Sequence, residues 1–234
     1  MYPVPQTVSS SSGFAGSRSI FRRSRFTSAS TLRSVTYVSS LEEDLSRRDP
    51  SGSYSVEQLA RKAGLAQGTV YLYFGSREEV LLAVHEKQTH AIFDVVDAAL
   101  DAPRADAESI VRAGLKHLRS HPEFFPLAGN CRYMLDTNVG TEAAFAFKAG
   151  LAQRLEQLGR KIERLYPALR PGEGAALLTN SYALIVGLWQ QADVPSCLRG
   201  VMTRPEMRIF KIDFEKQLAG ALLDLWGAAA RRTR

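Results

Sequence analysis

The stretch from Gly64 to Val84, GLAQGTVYLYFGSREEVLLAV, decides how this chain is expected to fold. A turn glycine is followed by a short polar and aromatic run, and then by Ser76 and Glu79 at the spacing of a helix capping box. Upstream, Ser55 and Gln58 have the same spacing, and the helix that they predict ends at the first glycine of the stretch. A capped helix, a tight turn, a short helix and a long helix predict a helix-turn-helix motif.

The short helix of this motif carries small polar and aromatic side chains that suit a DNA groove. Gly68 lets the backbone approach closely, and the side chains of Gln67 and Thr69 can reach base edges or phosphates. The hydroxyl groups of Tyr71 and Tyr73 can donate hydrogen bonds to phosphate oxygens. A helix that only packs in a core has no need for Gly-Thr followed by two outward aromatics, so the run predicts a recognition helix.

At this point the sequence resembles a known family. Residues 55–84, SVEQLARKAGLAQGTVYLYFGSREEVLLAV, resemble the DNA-binding signature of the tetracycline-repressor (TetR) family of bacterial regulators. The resemblance implies an all-α homodimeric repressor, with an N-terminal helix-turn-helix DNA-binding domain joined to a larger helical ligand-binding and dimerisation domain. The DNA-binding residues that it implies are Ser55, Gln67, Gly68, Thr69, Tyr71, Tyr73 and Arg77.

Two features of the sequence depart from the family pattern. Ala66 stands where the family often has a capping serine, and the missing cap costs about 1 kcal/mol. The family's first helix is strongly amphipathic, whereas the stripe of Val38, Leu41 and Leu45 is thin. An alternative to a working repressor is therefore an impaired regulator, which folds and dimerises but binds DNA weakly.

The N-terminal segment differs in composition from the rest of the chain. The first forty residues contain twelve serines and five arginines, and no Asp, Glu or Lys. Such a segment buries too little apolar surface to offset its ordering entropy, so we expect residues 1–37 to be a disordered extension. An organellar transit peptide, a basic arm that contacts phosphates, and a dispensable or misplaced start all remain open.

Long apolar stripes at helical spacing continue through the remainder of the chain. They predict helices from Asp106 to Ser120, along Phe147–Leu165, along Ala175–Trp189 and from near Pro205 to Leu225. We therefore expect a helix-turn-helix domain over residues 38–84 and a helical effector-binding and dimerisation domain over residues 85–230. The run Ala175–Trp189 is apolar nearly all round, which predicts a helix covered on most sides.

This excess of apolar surface bears on the oligomeric state. We expect the last two helices to form a four-helix contact with the same helices of a second subunit, giving a homodimer. The alternative is that both are ordinary core helices of a monomer.

The expected small-molecule effector is apolar or aromatic, because aromatic residues dominate the candidate lining of a cavity. The candidate residues, each of which could instead be plain core, are Phe93, His117, Phe124, Phe125, Tyr133, Met134, Asn180 and Trp189. His117 and His121 have the spacing of a metal pair, but Pro122 disrupts that geometry, so we expect no metal site and no cofactor.

Composition narrows the functional classes. A net charge of +6 and a pI near 9.5 favour an acidic partner such as double-stranded DNA. The two cysteines match no metal or redox spacing, and no run reaches the roughly 18 apolar residues of a membrane span, which indicates a cytoplasmic protein. Neither a phosphate-binding loop nor a nucleophile elbow or a zinc-protease motif occurs, so we predict no catalytic residues and no enzyme activity.

Overall fold

The computed structural model describes Glu57, Gln58, Arg61 and residues 74–136 and 138–232. Every regular element within these ranges is helical, as the sequence predicts. The α-helices, numbered here in chain order, are α1 (Arg77–Leu100), α2 (Ala107–Ser120), α3 (Phe124–Asp136), α4 (Thr141–Leu165), α5 (Glu173–Ala192) and α6 (Phe214–Ala230). The predicted extension over residues 1–37, the thin helix near Val38 and the predicted recognition helix lie outside the described residues.

Helix α1 begins where the capping box predicts. Ser76 has an extended backbone, and its hydroxyl accepts a hydrogen bond from the N–H of Glu79 at 3.1 Å. The Glu79 carboxylate reaches back beyond the cap, where it accepts a hydrogen bond from the N–H of Gly75 at 2.7 Å. From Val80 to Thr89 every residue of α1 except Lys87 is buried, so this half of the helix is enclosed on nearly all sides.

Helix α2 begins and ends as predicted, whereas the sequence pattern gave no indication of α3. A reciprocal cap starts α2: Asp106 Oδ1 accepts from Ser109 N–H at 2.7 Å, and Ser109 Oγ accepts from Asp106 N–H at 3.1 Å. The third residue of α3 is Pro126. Proline is tolerated in a first helical turn because the N–H there lacks an intrahelical partner, so its presence does not exclude a helix.

Helices α4 and α5 cross at two glycines. A Cβ atom on Gly159 would lie 2.6 Å from the backbone nitrogen of Ala175, and a Cβ on Gly174 would overlap the carbonyl oxygen of Gly159. Gly172, which precedes α5, has a φ of 90°, in the left-handed region that favours glycine. The close crossing of the two helices therefore depends on the absence of side chains at both positions.

The last helix begins later than the sequence predicts. Pro205–Phe210 is a 3-10 helix, the chain is then extended at Lys211, and α6 starts only at Phe214. The side chain of Asp213 accepts a hydrogen bond from Lys216 N–H at 3.1 Å, and this cap fixes the start of α6. The apolar stripe from residue 214 onward lies in α6 as expected, but Phe210 is 59% exposed, so the start near Pro205 was wrong.

Two apolar clusters form the core, and α1 contributes to both. The proximal cluster, near the start of α1, contains Phe74, Val80, Leu81, Leu82, Ala83, Val84, Leu127, Cys131, Met134 and Phe147. The distal cluster surrounds the second half of α1 and contains Val96, Ile110, Val111, Leu118, Phe124, Phe125, Ala128, Leu158, Ile162, Leu169, Leu177, Leu178, Ile185, Leu218, Leu222, Trp226 and Ala229.

Charged residues hold α1 against α4 beside the distal cluster. Arg154 donates to Asp94 Oδ1 at 2.7 Å and to Asp97 Oδ2 at 3.0 Å. Lys161 pairs with Asp97 and donates to Asp101 Oδ1 at 2.8 Å. A bilayer-spanning helix does not occur in the part of the chain that the structure describes.

Candidate functional site

An apolar cavity of about 80 Å³, the inner cavity, lies inside the distal cluster. It is bounded by the second half of α1, by α2, by the start of α3 and by α5 and α6. None of the side chains around it is charged. The lining residues are Thr89, Ile92, Phe93, Val96, Ile110, Val111, Gly114, Leu115, Leu118, Phe124, Leu178, Ser181, Tyr182, Ile185, Leu222 and Trp226.

The few polar groups in this lining already have hydrogen-bond partners. Ser181 Oγ donates to the Leu177 carbonyl at 2.8 Å and accepts from Trp226 Nε1 at 3.0 Å. Thr89 Oγ1 donates to the carbonyl of His85 at 2.8 Å. Because these hydroxyls are already hydrogen-bonded within the protein, the inner cavity suits an apolar group better than a polar one.

His85 lies at the boundary between the inner cavity and the proximal cluster. Its ring is 1% exposed and lies 5.5 Å from the Phe124 ring and 6.2 Å from the Phe147 ring. Its Nε2 atom is 3.3 Å from the hydroxyl of Tyr182. Burial, together with the nearby Lys148 cation, lowers the pKa of His85 to about 4, so the imidazole is neutral at pH 7.

The inner cavity is small for a ligand site. An apolar cavity of roughly 150 Å³ admits benzene, and sites for drug-sized molecules span about 300–1,000 Å³. A side chain added at Gly114, on the α2 wall, would meet no atom within 4 Å. The α2 wall therefore has unfilled space.

A second cavity of about 160 Å³, the outer cavity, opens between the end of α2 and the start of α6. Its mouth carries an ion pair in which Arg119 Nη2 lies 3.1 Å from Glu215 Oε2. Aromatic rings form one side, where Phe125 meets Phe214 edge to face at 5.2 Å. The lining residues are Leu115, Leu118, Arg119, Pro122, Phe125, Phe214, Glu215 and Leu218.

The structure brings together half of the residues predicted to bind an effector. Phe93 and Phe124 line the inner cavity, and Phe125 lines the outer one. Trp189 stacks on Phe125, with the ring centres 6.1 Å apart and the planes inclined by 14°. These four side chains lie on three different helices, and Trp189 itself lines neither cavity.

The other four predicted residues line neither cavity. His117 packs its ring against His121 at 4.4 Å, and Met134 is buried in the proximal cluster. Tyr133 is 67% exposed, and Asn180 lies on an exposed face of α5. Periodicity alone places a residue on a helix but does not show which neighbouring helix its face meets.

Several cavity residues were not predicted from the sequence. Gly114 and Tyr182 have no periodic signal of their own, and His85, which contacts Tyr182 beside the inner cavity, begins a run of six polar residues, His85–His90. Trp226 could have been found, because it continues the spacing of Leu218 and Leu222 by four residues.

In the N-terminal part of the chain the structure describes Glu57, Gln58, Arg61 and the residues from Phe74 onward. Phe74 is 2% exposed and packs in the proximal cluster. Glu79 joins two distant segments, because its carboxylate also accepts a hydrogen bond from the N–H of Gly140 at 3.3 Å. Arg77 is half-buried with an enclosed Nε atom. The other predicted DNA-binding residues, Ser55, Gln67, Gly68, Thr69, Tyr71 and Tyr73, lie outside the described residues.

The pair His117 and His121 is not part of a larger ligand set. His121 Nδ1 lies 3.1 Å from Glu123 Oε1. Among the described residues, no group of three or more His, Cys, Asp or Glu side chains is arranged to hold a metal ion.

Solved structures share this fold at low sequence identity. The fatty acid degradation regulator FadR from Bacillus halodurans is 18% identical with a TM-score of 0.51, covering 90% of this chain and 100% of that one. A protein of unknown function from Rhodococcus sp. RHA1 is 15% identical with a TM-score of 0.52, at 90% and 100% coverage. Reduced NemR from E. coli is 16% identical with a TM-score of 0.50, at 82% and 96% coverage.

Family sequence models match two consecutive parts of the chain. Residues 52–84 match the family described as bacterial regulatory proteins, tetR family. Residues 86–231 match the family described as tetracyclin repressor-like, C-terminal domain. None of the curated proteins matches the sequence. The chain therefore belongs to the TetR family of transcription regulators, with an N-terminal helix-turn-helix DNA-binding domain and a helical C-terminal domain.

Proposed function

We propose that this protein is a ligand-responsive transcriptional repressor, which binds a palindromic operator as a homodimer and is released by a small apolar or aromatic effector. The observation that carries the proposal is the course of α1. This helix starts at Arg77, next to the DNA-binding motif, and continues into the wall of the inner cavity at Ile92, Phe93 and Val96. One continuous helix thus connects the residues that follow the motif with the cavity wall.

The geometry of α1 supports a lever mechanism. At 1.5 Å per residue, Phe93 lies about 24 Å along the helix axis from Arg77. An effector larger than the inner cavity must displace α1 or α2, because packed cores move between discrete arrangements rather than deform continuously. A tilt of α1 would then move the two recognition helices of a dimer out of register with successive major grooves.

The exposed face of α5 and α6 supports the dimer. The sequence predicts that α5 is covered on most sides, yet within one chain Ala176 and Ala183 of α5 are exposed, and Leu223 of α6 is 37% exposed. Pairing this face with its copy in a second subunit would cover it in a four-helix arrangement. Sedimentation at micromolar concentration tests the pairing, and a monomer would exclude it.

We further propose that DNA is contacted by Ser55, Gln67, Gly68, Thr69, Tyr71, Tyr73 and Arg77. The domain limits proposed for this function are residues 38–84 for the DNA-binding domain and residues 85–230 for the effector-binding and dimerisation domain. The linkage is reciprocal: an effector that weakens DNA binding must itself bind less tightly to the protein–DNA complex.

A gel-shift experiment tests the repressor proposal directly. The protein is titrated into DNA taken from upstream of its own gene, at several salt concentrations. We expect a shift that is specific to the operator sequence, with an affinity that falls steeply as the salt concentration rises. Thr69→Ala and Tyr73→Ala should weaken the shift without changing the oligomeric state. Thr203→Ala and Tyr133→Ala are matched controls, since both residues are exposed and far along the chain from the motif. Equal affinity in all four variants would exclude the assigned recognition helix.

A second candidate is the impaired regulator. The DNA-binding family match begins at residue 52, and so it does not include Val38–Arg48, where the first helix was expected. An impaired regulator would give no shift even at low salt. A variant carrying a conventional amphipathic first helix should restore DNA binding in that case, and should change little if the native protein already binds tightly.

A further inference from the structure

The inner and outer cavities are separated by a wall that is one side chain thick. Leu115 and Leu118, one helical turn apart on α2, line both cavities. At the start of α3, Phe124 faces the inner cavity and the next residue, Phe125, faces the outer one. Leu115 is only half-buried, so a change of its rotamer needs little repacking of its neighbours.

The two cavities differ in chemistry. The inner cavity is apolar and uncharged, whereas the mouth of the outer cavity carries the ion pair between Arg119 and Glu215. Each of these two side chains is 64% exposed, and exposed ion pairs contribute little net free energy. A charged group of a ligand can therefore replace one partner of this pair at small cost.

The surroundings of the mouth favour a negatively charged ligand group over a positive one. The N-terminal end of α6, which begins at Phe214, carries the positive end of the helix dipole, and the Asp213 carboxylate caps one of its N–H groups, that of Lys216. Lys116 on α2 and Lys216 on α6 are exposed on the same two helices. A carboxylate can also accept two parallel hydrogen bonds from the Arg119 guanidinium, a geometry that an ammonium group cannot offer to Glu215.

We propose that the outer cavity is the second half of one ligand site, and that the site binds an amphipathic carboxylate. The carboxylate binds Arg119 at the mouth, and the apolar body passes Leu115 and Leu118 into the inner cavity. This inference rests on the proposed function in one respect only: it takes the bound molecule to be the effector that releases the protein from DNA. The outer cavity has about the volume of an apolar cavity that admits benzene, so it holds the nearer part of an apolar body as well.

The two tryptophans of the chain allow each cavity to be observed separately. Trp226 lines the inner cavity, and Trp189 stacks on Phe125 at the outer one. The variant Trp189→Phe leaves Trp226 as the only indole, and Trp226→Phe leaves Trp189. Both variants are titrated with sodium octanoate while the tryptophan emission is recorded, and circular dichroism verifies that they remain helical.

Octanoate is expected to change the emission of both variants, because a single molecule occupies both cavities. Octan-1-ol and octylamine, which have the same chain but no negative charge, should bind more weakly than octanoate. A response of only one tryptophan would refute a continuous site. The absence of any response to octanoate in either variant, or tighter binding of octylamine, would overturn the ligand class.

The role of Arg119 is tested with a matched pair of variants. Arg119→Gln should raise the Kd of octanoate about tenfold, as expected for the loss of a charged hydrogen bond, and leave that of octan-1-ol unchanged. Arg112→Gln removes an exposed arginine from the same helix that lines neither cavity, and should change neither Kd. Equal loss in both variants, or equal loss for both ligands, would contradict the assignment.

These measurements contain no DNA, so they separate the ligand site from the regulator. Octanoate binding without any operator shift would leave the site intact and contradict the proposed repressor. An operator shift with no response to octanoate would leave the proposed repressor intact and contradict the ligand site.

Discussion

The two halves of α1 lie in contrasting surroundings. Between Val80 and Thr89 every residue except Lys87 is buried, and Val80–Val84 pack in the proximal cluster. From Ile92 onward one face of the same helix borders an unfilled cavity, and Asp94 and Asp97 on another face pair with α4. The contrast indicates that the first half behaves as a rigid joint and that the second half has room to move.

A pair of phenylalanines gives the largest expected difference between the two halves. Phe147 is fully buried in the proximal cluster, so Phe147→Ala should lower the free energy of unfolding by about 3–5 kcal/mol. Phe93 is half-buried beside the inner cavity, so Phe93→Ala should cost clearly less. Urea denaturation of both variants measures the difference, and equal losses would show that the two halves are packed alike.

The buried imidazole of His85, in the first half of α1, makes the stability of the protein sensitive to acid. The pKa of His85 is about 4 in the folded protein against 6.5 for a solvent-exposed imidazole, so below pH 6.5 the unfolded state binds a proton that the folded state excludes. Stability should therefore fall by about 3 kcal/mol as the pH drops from 6.5 to 4 through this group alone.

Denaturation midpoints measured over this pH range in the wild type and in His85→Gln test the acid sensitivity. The substitution should flatten the pH dependence. His90→Gln serves as the control, because His90 is only half-buried and its pKa is lowered less strongly, and it should leave most of the dependence in place. A slope unaffected by the His85 substitution would assign the acid sensitivity to other groups.

A glycine at the helix crossing should tolerate no side chain. Gly159→Ala places a methyl group against the backbone of α5, so the helices must separate, and we expect a loss of about 1–3 kcal/mol. Gly187→Ala, on the same helix pair but with no atom within 4 Å of the added carbon, is the matched control and should not destabilise. Thermal unfolding of both variants checks the prediction, and a neutral Gly159→Ala would contradict the close crossing.

The smallest expected effect has the opposite sign. Gly114 lies within α2 and faces free space at the inner cavity, so Gly114→Ala should stabilise the protein by about 0.5–1 kcal/mol through helix propensity alone. Gly114→Leu should fill the inner cavity and abolish the Trp226 response to octanoate. Destabilisation by the alanine variant would show that the space at Gly114 is not open.

The sequence predicted most of the helices because caps and apolar stripes are local signals. The Ser76 cap, the Asp106 start and the apolar stripe of α4 all lie where they were expected. The later start of α6 depends on the cap that Asp213 provides. The apolar stripe, which continues upstream through Phe210, instead favours an earlier start. Local patterns do not show which of two such signals prevails.

The lining of the two cavities was predicted only in part, because it depends on contacts between distant segments. Phe93 and Phe124 are large and apolar, and such residues border most interior spaces. Gly114 contributes by lacking a side chain, and Tyr182 by the position of α5 relative to α1. Neither contribution has a signature in a single helix, so the geometry of several packed helices was needed to find them.

The carboxylate of Glu79 sets a mechanical limit that follows from its two attachments. Its oxygens separately hold the backbone ahead of α1, at Gly75, and the backbone ahead of α4, at Gly140, although Gly140 lies 61 residues beyond Glu79 along the chain. If the segment at Gly75 moves by more than the length of a hydrogen bond, either the segment at Gly140 moves with it or one of the two hydrogen bonds to Glu79 breaks. Large rotations about the start of α1 are thus opposed, and smaller ones are shared with the segment that precedes α4.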